Sequence, residues 1–300
     1  MLSGLRYKHW TRLEAFTYFL KGIARELHIA PSFFLTCHEK VIVRTFRKNW
    51  LKRNGEESYF DFNGCKLPDI SNSPENMLAF KMIFEDVLLF PCFFNDNYDQ
   101  SIVRFMDQHM SEGPYGYTDG TFDVTVKKGD VVIDAGAWLG DFSAYATSKG
   151  AVAYAFEPVE ETFRLLCKTA ELNDGKIYPV QKGLGSSECK MNISIDGDIS
   201  GANSLIAKGA RSKEIQITTI DKFVEENKLK TVNFIKADIE GVEREMLRGA
   251  SGVLKKFAPK LAICTYHLPD DPDVLEKIIL NANPDYKIIH LRHKLFAAVT

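Results

Sequence analysis

Five side chains that can accept or release a proton stand at the ends of apolar runs. They are Asp134 after Val131-Val132-Ile133, Glu157 after Ala151 to Phe156, Asp238 and Glu240 after Thr231 to Ala237, and His267 after Lys260 to Tyr266. In an open sheet of parallel strands, groups at the carboxyl ends face the ligand crevice. The first acid opens the stretch Asp134-Ala135-Gly136-Ala137-Trp138-Leu139-Gly140, followed by a helical pattern from Asp141 to Ser148 that Gly150 stops. That order reads as strand, tight turn, helix. Gly136 and Gly140 let a ligand come close to the turn, and the helix start sets free amide donors beside it. Glu157 holds the position where a doubly wound sheet places an acid on a ribose diol. These residues, with Ala137, Trp138 and Pro158 between them, describe a site for a nucleoside-bearing cofactor.

The spacing narrows which cofactor. A dinucleotide fingerprint needs G-x-G-x-x-G, whereas this turn has Asp134-x-Gly136-x-x-x-Gly140, with Ala137 and Trp138 where further glycines would sit. A carboxylate at the mouth of the turn repels a pyrophosphate but suits a ligand with ammonium and sulfonium charges. S-adenosylmethionine (SAM) has that sign. The plainer alternative is that Asp134 caps the helix and Glu157 ends a strand.

Because SAM carries an already activated methyl group, the chain has only to align an acceptor and take its proton. His267 is the first candidate for general base, from an ordinary pKa of about 6.5, and a structural histidine is the competing reading. Asp238 could orient the acceptor, act as base instead, or bind the methionine end of the cofactor. Glu240 serves equally as an acid favouring the following helix start. Asp238, Glu240 and His267 are of types that could hold a divalent cation, although none is expected. Lys236 alternates with apolar neighbours, so its stem is expected to pack on the sheet.

The elements that position these groups begin near Lys128-Gly129-Asp130, from which strands and helices alternate as in a parallel sheet with right-handed crossovers. After the helix around Thr162 to Leu172 and a strand at Ile177 to Gln181, Met191 to Ile195 and Glu214 to Ile220 read as added strands around a polar loop holding Asn203 and Ser204. A helix to Arg248 stops at Gly249. Another helix lies near Val274 to Leu280. Tyr286 to Leu291 and Leu295 to Val299 are too close for a crossover helix and must pair antiparallel. The expectation is an α/β, Rossmann-like class I methyltransferase sheet, mostly parallel and closed by an antiparallel C-terminal hairpin.

Upstream, residues 1–111 read as a mainly helical accessory or cap region and 112–300 as the cofactor-binding domain. Leu13, Phe16, Leu20, Ile23 and Leu27 recur at helical spacing, Ser73-Pro74-Glu75 starts a helix through Met77 to Phe90, and Asp99 to His109 is another. Ser58 to Phe62 is a short strand turning at Asn63-Gly64. Tyr115, Tyr117 and Asp119 precede the first central strand, where a cap covers a cofactor; Tyr115 joins the cofactor candidates. The first sixty residues hold eleven Lys/Arg against five Asp/Glu. Arg44, Arg47, Lys48, Lys52 and Arg53, with Phe46 and Trp50, form either the solvated face of an accessory helix or a patch for a membrane surface or anionic substrate.

Composition bounds the partners. A net charge of -2 gives no reason to expect nucleic acid. No apolar run reaches a membrane span and no signal-peptide layout opens the chain, so a cytoplasmic location is expected. The six cysteines contain no C-x-x-C pair and suggest neither zinc nor redox chemistry.

Three blocks carry a family resemblance: Lys128-Gly129-Asp130-Val131-Val132-Ile133-Asp134-Ala135-Gly136-Ala137, Phe156-Glu157-Pro158, and Phe234-Ile235-Lys236-Ala237-Asp238-Ile239-Glu240-Gly241-Val242-Glu243. With Thr218-Thr219-Ile220-Asp221 before the third, the chain from about 112 to 300 resembles the FkbM-type methyltransferases. The resemblance implies a SAM-dependent enzyme that methylates a hydroxyl on a sugar, glycolipid or secondary metabolite, hence a small-molecule or saccharide acceptor. The family often has an acid near the end of the fifth strand; this chain has Cys264-Thr265-Tyr266-His267 there, so no acid-based role carries over at that point. Two other readings stand beside it, a nicotinamide-dependent oxidoreductase and a non-catalytic SAM- or nucleotide-binding module.

Overall fold

The structure, a computed structural model, describes residue 44 and residues 47–71, 100–109, 113–195 and 211–300. The expected helices upstream of residue 44 and at Met77 to Phe90, and the loop with Asn203 and Ser204, lie outside these residues.

The described N-terminal part contributes a sheet as well as a helix. Strands β1 (Leu51–Asn54), β2 (Glu57–Phe62) and β3 (Cys65–Pro68) pair antiparallel in that order. Asn63 (φ 56°) and Gly64 (φ 92°) form the two-residue turn between β2 and β3, the left-handed pair that an Asn-Gly hairpin supplies. Lys52 and Arg53 therefore lie exposed on a strand, which corrects the helix expected for that part of the basic stretch. Phe60, Phe62, Cys65 and Leu67 face inward and share one core with the central sheet. Asn173 fastens β3 from the far side: its side-chain oxygen accepts the Lys66 amide (3.1 Å) and its side-chain nitrogen donates to the Lys66 carbonyl (2.7 Å).

Next come helix α1 (Gln100–His109) and the short strands β4 (Tyr117–Thr118) and β5 (Asp123–Val124). The central sheet is then laid down by β6 (Val131–Ala135), α2 (Asp141–Ser148), β7 (Val152–Phe156), α3 (Glu160–Leu172) and β8 (Ile177–Val180). Three further strands, β9 (Gly183–Leu184), β10 (Cys189–Ile195) and β11 (Arg211–Thr218), precede α4 (Ile220–Glu226) and β12 (Phe234–Ala237). Helices α5 (Glu243–Arg248) and α6 (Ser251–Phe257) follow, then β13 (Lys260–Cys264), α7 (Asp271–Ala282), β14 (Lys287–His290) and β15 (Lys294–Ala298).

Seven strands form one sheet in the order β14-β15-β13-β12-β6-β7-β8. Only β15 runs against its neighbours β13 and β14. This is the α/β, Rossmann-like class I arrangement expected from the strand pattern. Alternate residues explain why the strands are apolar throughout: Val132, Phe234, Ala262 and Phe296 enter one core, and Ile133, Ile235, Leu261 and Leu295 enter the other. The chain leaves β6 toward β7 and β8, then returns to place β12 and β13 on the opposite side. The crevice between β6 and β12 is thus the topological switch point, where such sheets bind ligands.

The interrupted rhythm after β8 yields a second sheet, β10-β11-β9, whose apolar side carries Ile193, Ile215 and Ile217 against Val159. The predicted stop at Gly249 differs in mechanism. Its φ is -75°, not left-handed, and the position is kept small by close packing instead: an added Cβ would run into the Gly185 carbonyl and lie 3.1 Å from Thr219 Cβ. Gly249 thereby seats the end of α5 against the connection between β9 and β10.

Candidate functional site

The turn after β6 is built by backbone pairing. The Gly136 and Ala137 amides both donate to the Phe156 carbonyl, at 3.1 and 2.9 Å, so these two donors are engaged within the chain. Gly136 has φ 72° and a Cβ there would meet the Asp238 carbonyl and come 2.9 Å from Ile239 Cγ2. Glycine is required twice over, by conformation and by close approach. Trp138 (φ 50°) and Glu240 (φ 55°) also hold left-handed backbone, uncommon for residues with a Cβ. Both line the same cleft.

That cleft encloses about 710 Å³, its open mouth included, a size in the range of small-molecule sites. Gly136, Trp138, Glu157 and Pro158 line it from the turn and from β7, while Asp238 and Glu240 line it from β12. Asp134, Ala137, Gly140, Tyr115 and His267 do not line it. The far wall, Lys182, Gly183, Leu184, Ile193, Ile215 and Ile217, was missed by sequence reasoning. The signal available was the alternation of Ile215 and Ile217 on a strand with no place in the parallel sheet.

Asp134 requires the largest correction. Its carboxylate is fully buried, accepts from Ser143 Oγ (2.6 Å) and pairs with Lys236 Nζ (3.2 Å). The two residues are register partners on adjacent strands, so Lys236 brings its ammonium, not merely its stem, into the sheet. Burial opposes the lysine charge, but Asp134, Asp238 and Asp141 together raise its pKa. Lys236 also donates to the Gly136 carbonyl at 2.6 Å, bracing the turn. The carboxyl groups lining the cleft are those of Glu157, Asp238 and Glu240.

Glu157 is buried, its Oε1 accepting the Val159 amide (2.9 Å). Burial pushes its carboxyl up to about 7, against hydrogen bonds from Val159, Thr162 and Trp138. Asp238 accepts the Tyr115 hydroxyl on Oδ2 (2.6 Å) and the Tyr266 hydroxyl on Oδ1 (3.0 Å). Burial would raise Asp238, but Lys236, then His267 and the two tyrosines, hold it below the usual carboxylate range. Of the three residues expected as a cap, Tyr115 alone reaches this cluster. Tyr117 stacks on Phe296, and Asp119 accepts the Thr121 and Phe122 amides in a local turn.

His267 sits among three carboxylates: Glu243 Oε1 lies 2.9 Å from Nδ1, and Asp238 Oδ1 and Glu240 Oε2 each lie 3.6 Å from Nε2. Burial works against its charge, but Glu243, Asp238 and Glu240 outweigh it and push the ring to about 9. Its ring therefore holds a proton more tightly than a free imidazole does. Glu240 is pushed up to about 7, by burial first and then by Asp238 and Glu243. Glu243, fully buried at the start of α5, accepts the Ile239 amide at 3.0 Å and was not singled out from sequence. Asp238, Glu243 and His267 are the three donors that converge, their ligand atoms within 4.8 Å of one another.

Residues 128–288 match the methyltransferase FkbM domain. The chain belongs to that family. The matched segment takes in the Gly136 turn, Glu157, the Asp238 to Glu243 stretch and His267, and leaves out Tyr115. This FkbM-family chain is 31% identical over 169 residues to AglP, a hexuronic acid methyltransferase of Haloferax volcanii, covering 54% of this chain and 66% of that protein. Methyltransferase 1 of Beauveria bassiana is 26% identical over 158 residues, covering 44% and 64%. The chain thus spans just under two thirds of the length of these relatives. A crystal structure of an FkbM methyltransferase from Methylobacillus flagellatus aligns over 75% of this chain and 55% of that one, with 20% identity and a TM-score of 0.47. Among the described residues, no helix of the FkbM-family chain is long and apolar enough to cross a membrane.

Proposed function

We propose that the chain is a SAM-dependent O-methyltransferase acting on a hydroxyl of a saccharide or other small acceptor. The observation that carries this is the cleft at the switch point, lined by Gly136, Glu157, Asp238 and Glu240. The residues fit the cofactor: Gly136 lets the turn after β6 pack directly on the Asp238 carbonyl, where any Cβ would clash, and Glu157 offers carboxylate oxygens to a ribose diol. Apolar Leu184, Ile215 and Ile217 suit a flat base. When bound, SAM supplies a methyl group on a positively charged sulfur, so little chemistry is left to the protein.

What the chain contributes is placement and a route for one proton. The acceptor oxygen must lie in line with the transferred methyl, beside Asp238. Asp238, fixed by Tyr115 and Tyr266, orients the hydroxyl; Asp238 and Glu240 are the carboxylates facing the cleft that can receive its proton. His267 positions them. The likeness to a hexuronic acid methyltransferase supports a uronic acid or related sugar as the acceptor class.

Calorimetry with SAM tests the cofactor half, and mass spectrometry of a panel of hexuronate-bearing glycosides tests the acceptor half. One methyl gained on oxygen is the expected result. No affinity for SAM, or binding of NADH instead, overturns the proposal.

A further inference from the structure

Asp238, Glu243 and His267 are more than neighbours of the cleft. Glu243 is fully buried, yet its Oε2 makes no hydrogen bond among the described residues. His267, with 8% of its side chain exposed, has both ring nitrogens in the same condition, Nε2 standing 3.6 Å from an oxygen of Asp238 and from one of Glu240. Buried polar atoms are almost always satisfied, and each exception needs a partner or an explanation. Here donor atoms of three side chains from three segments already converge within 4.8 Å.

Charge balance adds a second argument. Lys236 acts on both Asp134 and Asp238, and three carboxylates, those of Asp238, Glu240 and Glu243, stand around one imidazole. A dication placed among these donors would satisfy Glu243 Oε2 and a ring nitrogen of His267 once the side chains close on it. Donors about 2.1 Å from a six-coordinate ion stand roughly 3.0 Å apart at right angles, against the 3.6 Å seen between Nε2 and Asp238. Glu243 Oε1 lies 2.9 Å from His267 Nδ1, the separation of two neighbouring ligands on one small ion.

We propose that Asp238, Glu243 and His267 form a binding site for a divalent cation, reached from the cleft through Asp238. One imidazole and two carboxylates suit a borderline or hard ion such as Mn²⁺ or Mg²⁺. Positions left open on the cleft side would take water or an acceptor hydroxyl, whose proton becomes easier to remove when its oxygen is bound to a cation. The site shares Asp238 with the proposed methyl transfer, but its side chains would hold the cation whether or not a cofactor is present, so the two can be tested apart.

Mn²⁺ titration of the full chain without SAM, followed by electron paramagnetic resonance, tests it. One ion bound per chain is expected, displaced by excess Mg²⁺ or EDTA, with affinity at least tenfold weaker in both His267→Gln and Glu243→Gln. Circular dichroism of the variants and SAM calorimetry on the same samples show that fold and cofactor pocket persist. Absence of bound Mn²⁺ in the wild type overturns the proposal. So does Mn²⁺ binding that survives unchanged in both folded variants. A chain that binds Mn²⁺ but not SAM refutes the proposed function and leaves the cation site standing.

Discussion

Replacing Lys236 with methionine removes the ammonium while keeping most of the stem. The Nζ atom stands 3.2 Å from Asp134 Oδ1 and 2.6 Å from the Gly136 carbonyl, with side-chain exposures of 5% for the lysine and 0% for the aspartate. Deleting one partner of a buried ion pair strands the other charge and costs about 3–5 kcal/mol. With roughly 2–4 °C lost per kcal/mol in a chain of this size, the melting temperature of Lys236→Met falls by about 10 °C. The double variant Asp134→Asn, Lys236→Met removes both charges, so it recovers part of the loss, with a coupling energy of about 0.5–3 kcal/mol. Thermal unfolding of the wild type, both single variants and the double variant measures this cycle. A Lys236→Met protein that melts within a degree of the wild type would refute the reasoning, as would strict additivity in the double variant. Either result would mean that water or a rotated side chain already serves Asp134.

Gly136→Ala forces a left-handed alanine at about 1–2 kcal/mol and pushes its methyl into the Asp238 carbonyl and Ile239; SAM affinity measured by calorimetry should fall at least tenfold. Gly249→Ala, at an ordinary φ of -75°, should lower stability by about 1–3 kcal/mol through crowding of Gly185 and Thr219 alone, read by denaturant unfolding. Glu157, shifted from 4.5 to about 7, holds its proton more tightly folded than unfolded. Its stabilising contribution is therefore complete below pH 4.5 and is lost as pH rises through about 7. SAM affinity should move oppositely, rising as the carboxylate ionises between pH 6 and 8, and Glu157→Gln should flatten that profile. Tyr266→Phe removes one of the two hydroxyls on Asp238 and should reduce turnover more than SAM affinity, which steady-state kinetics and calorimetry together can separate.

The parallel sheet was legible because its strands are buried on both faces and therefore read as unbroken apolar runs ending in acids. Asn63-Gly64 was legible for a different reason, since both positions need left-handed backbone that few other residues adopt. What could not be read was pairing between strands far apart in sequence. Lys236 looked like one polar residue in an apolar run; only the register of β12 on β6 puts its ammonium beside Asp134. The environment of His267 was hidden likewise, because Glu243 comes from the start of α5, far away in sequence, and its carboxylate makes the ring hold a proton more tightly than an isolated imidazole. Ile193, Ile215 and Ile217 were visible as strand residues, but nothing local says that an added hairpin folds back over the cleft.

Strand β15 follows all the others in the chain yet lies between β13 and β14, buried along its whole length. Its ring Phe296 stacks on Tyr117, and the loop just before it gives the Arg292 and His293 amides to Asp107 on α1. Loss of β15 would therefore cost the sheet two strands, since β14 has no other partner in it and β13 would be left with an open edge.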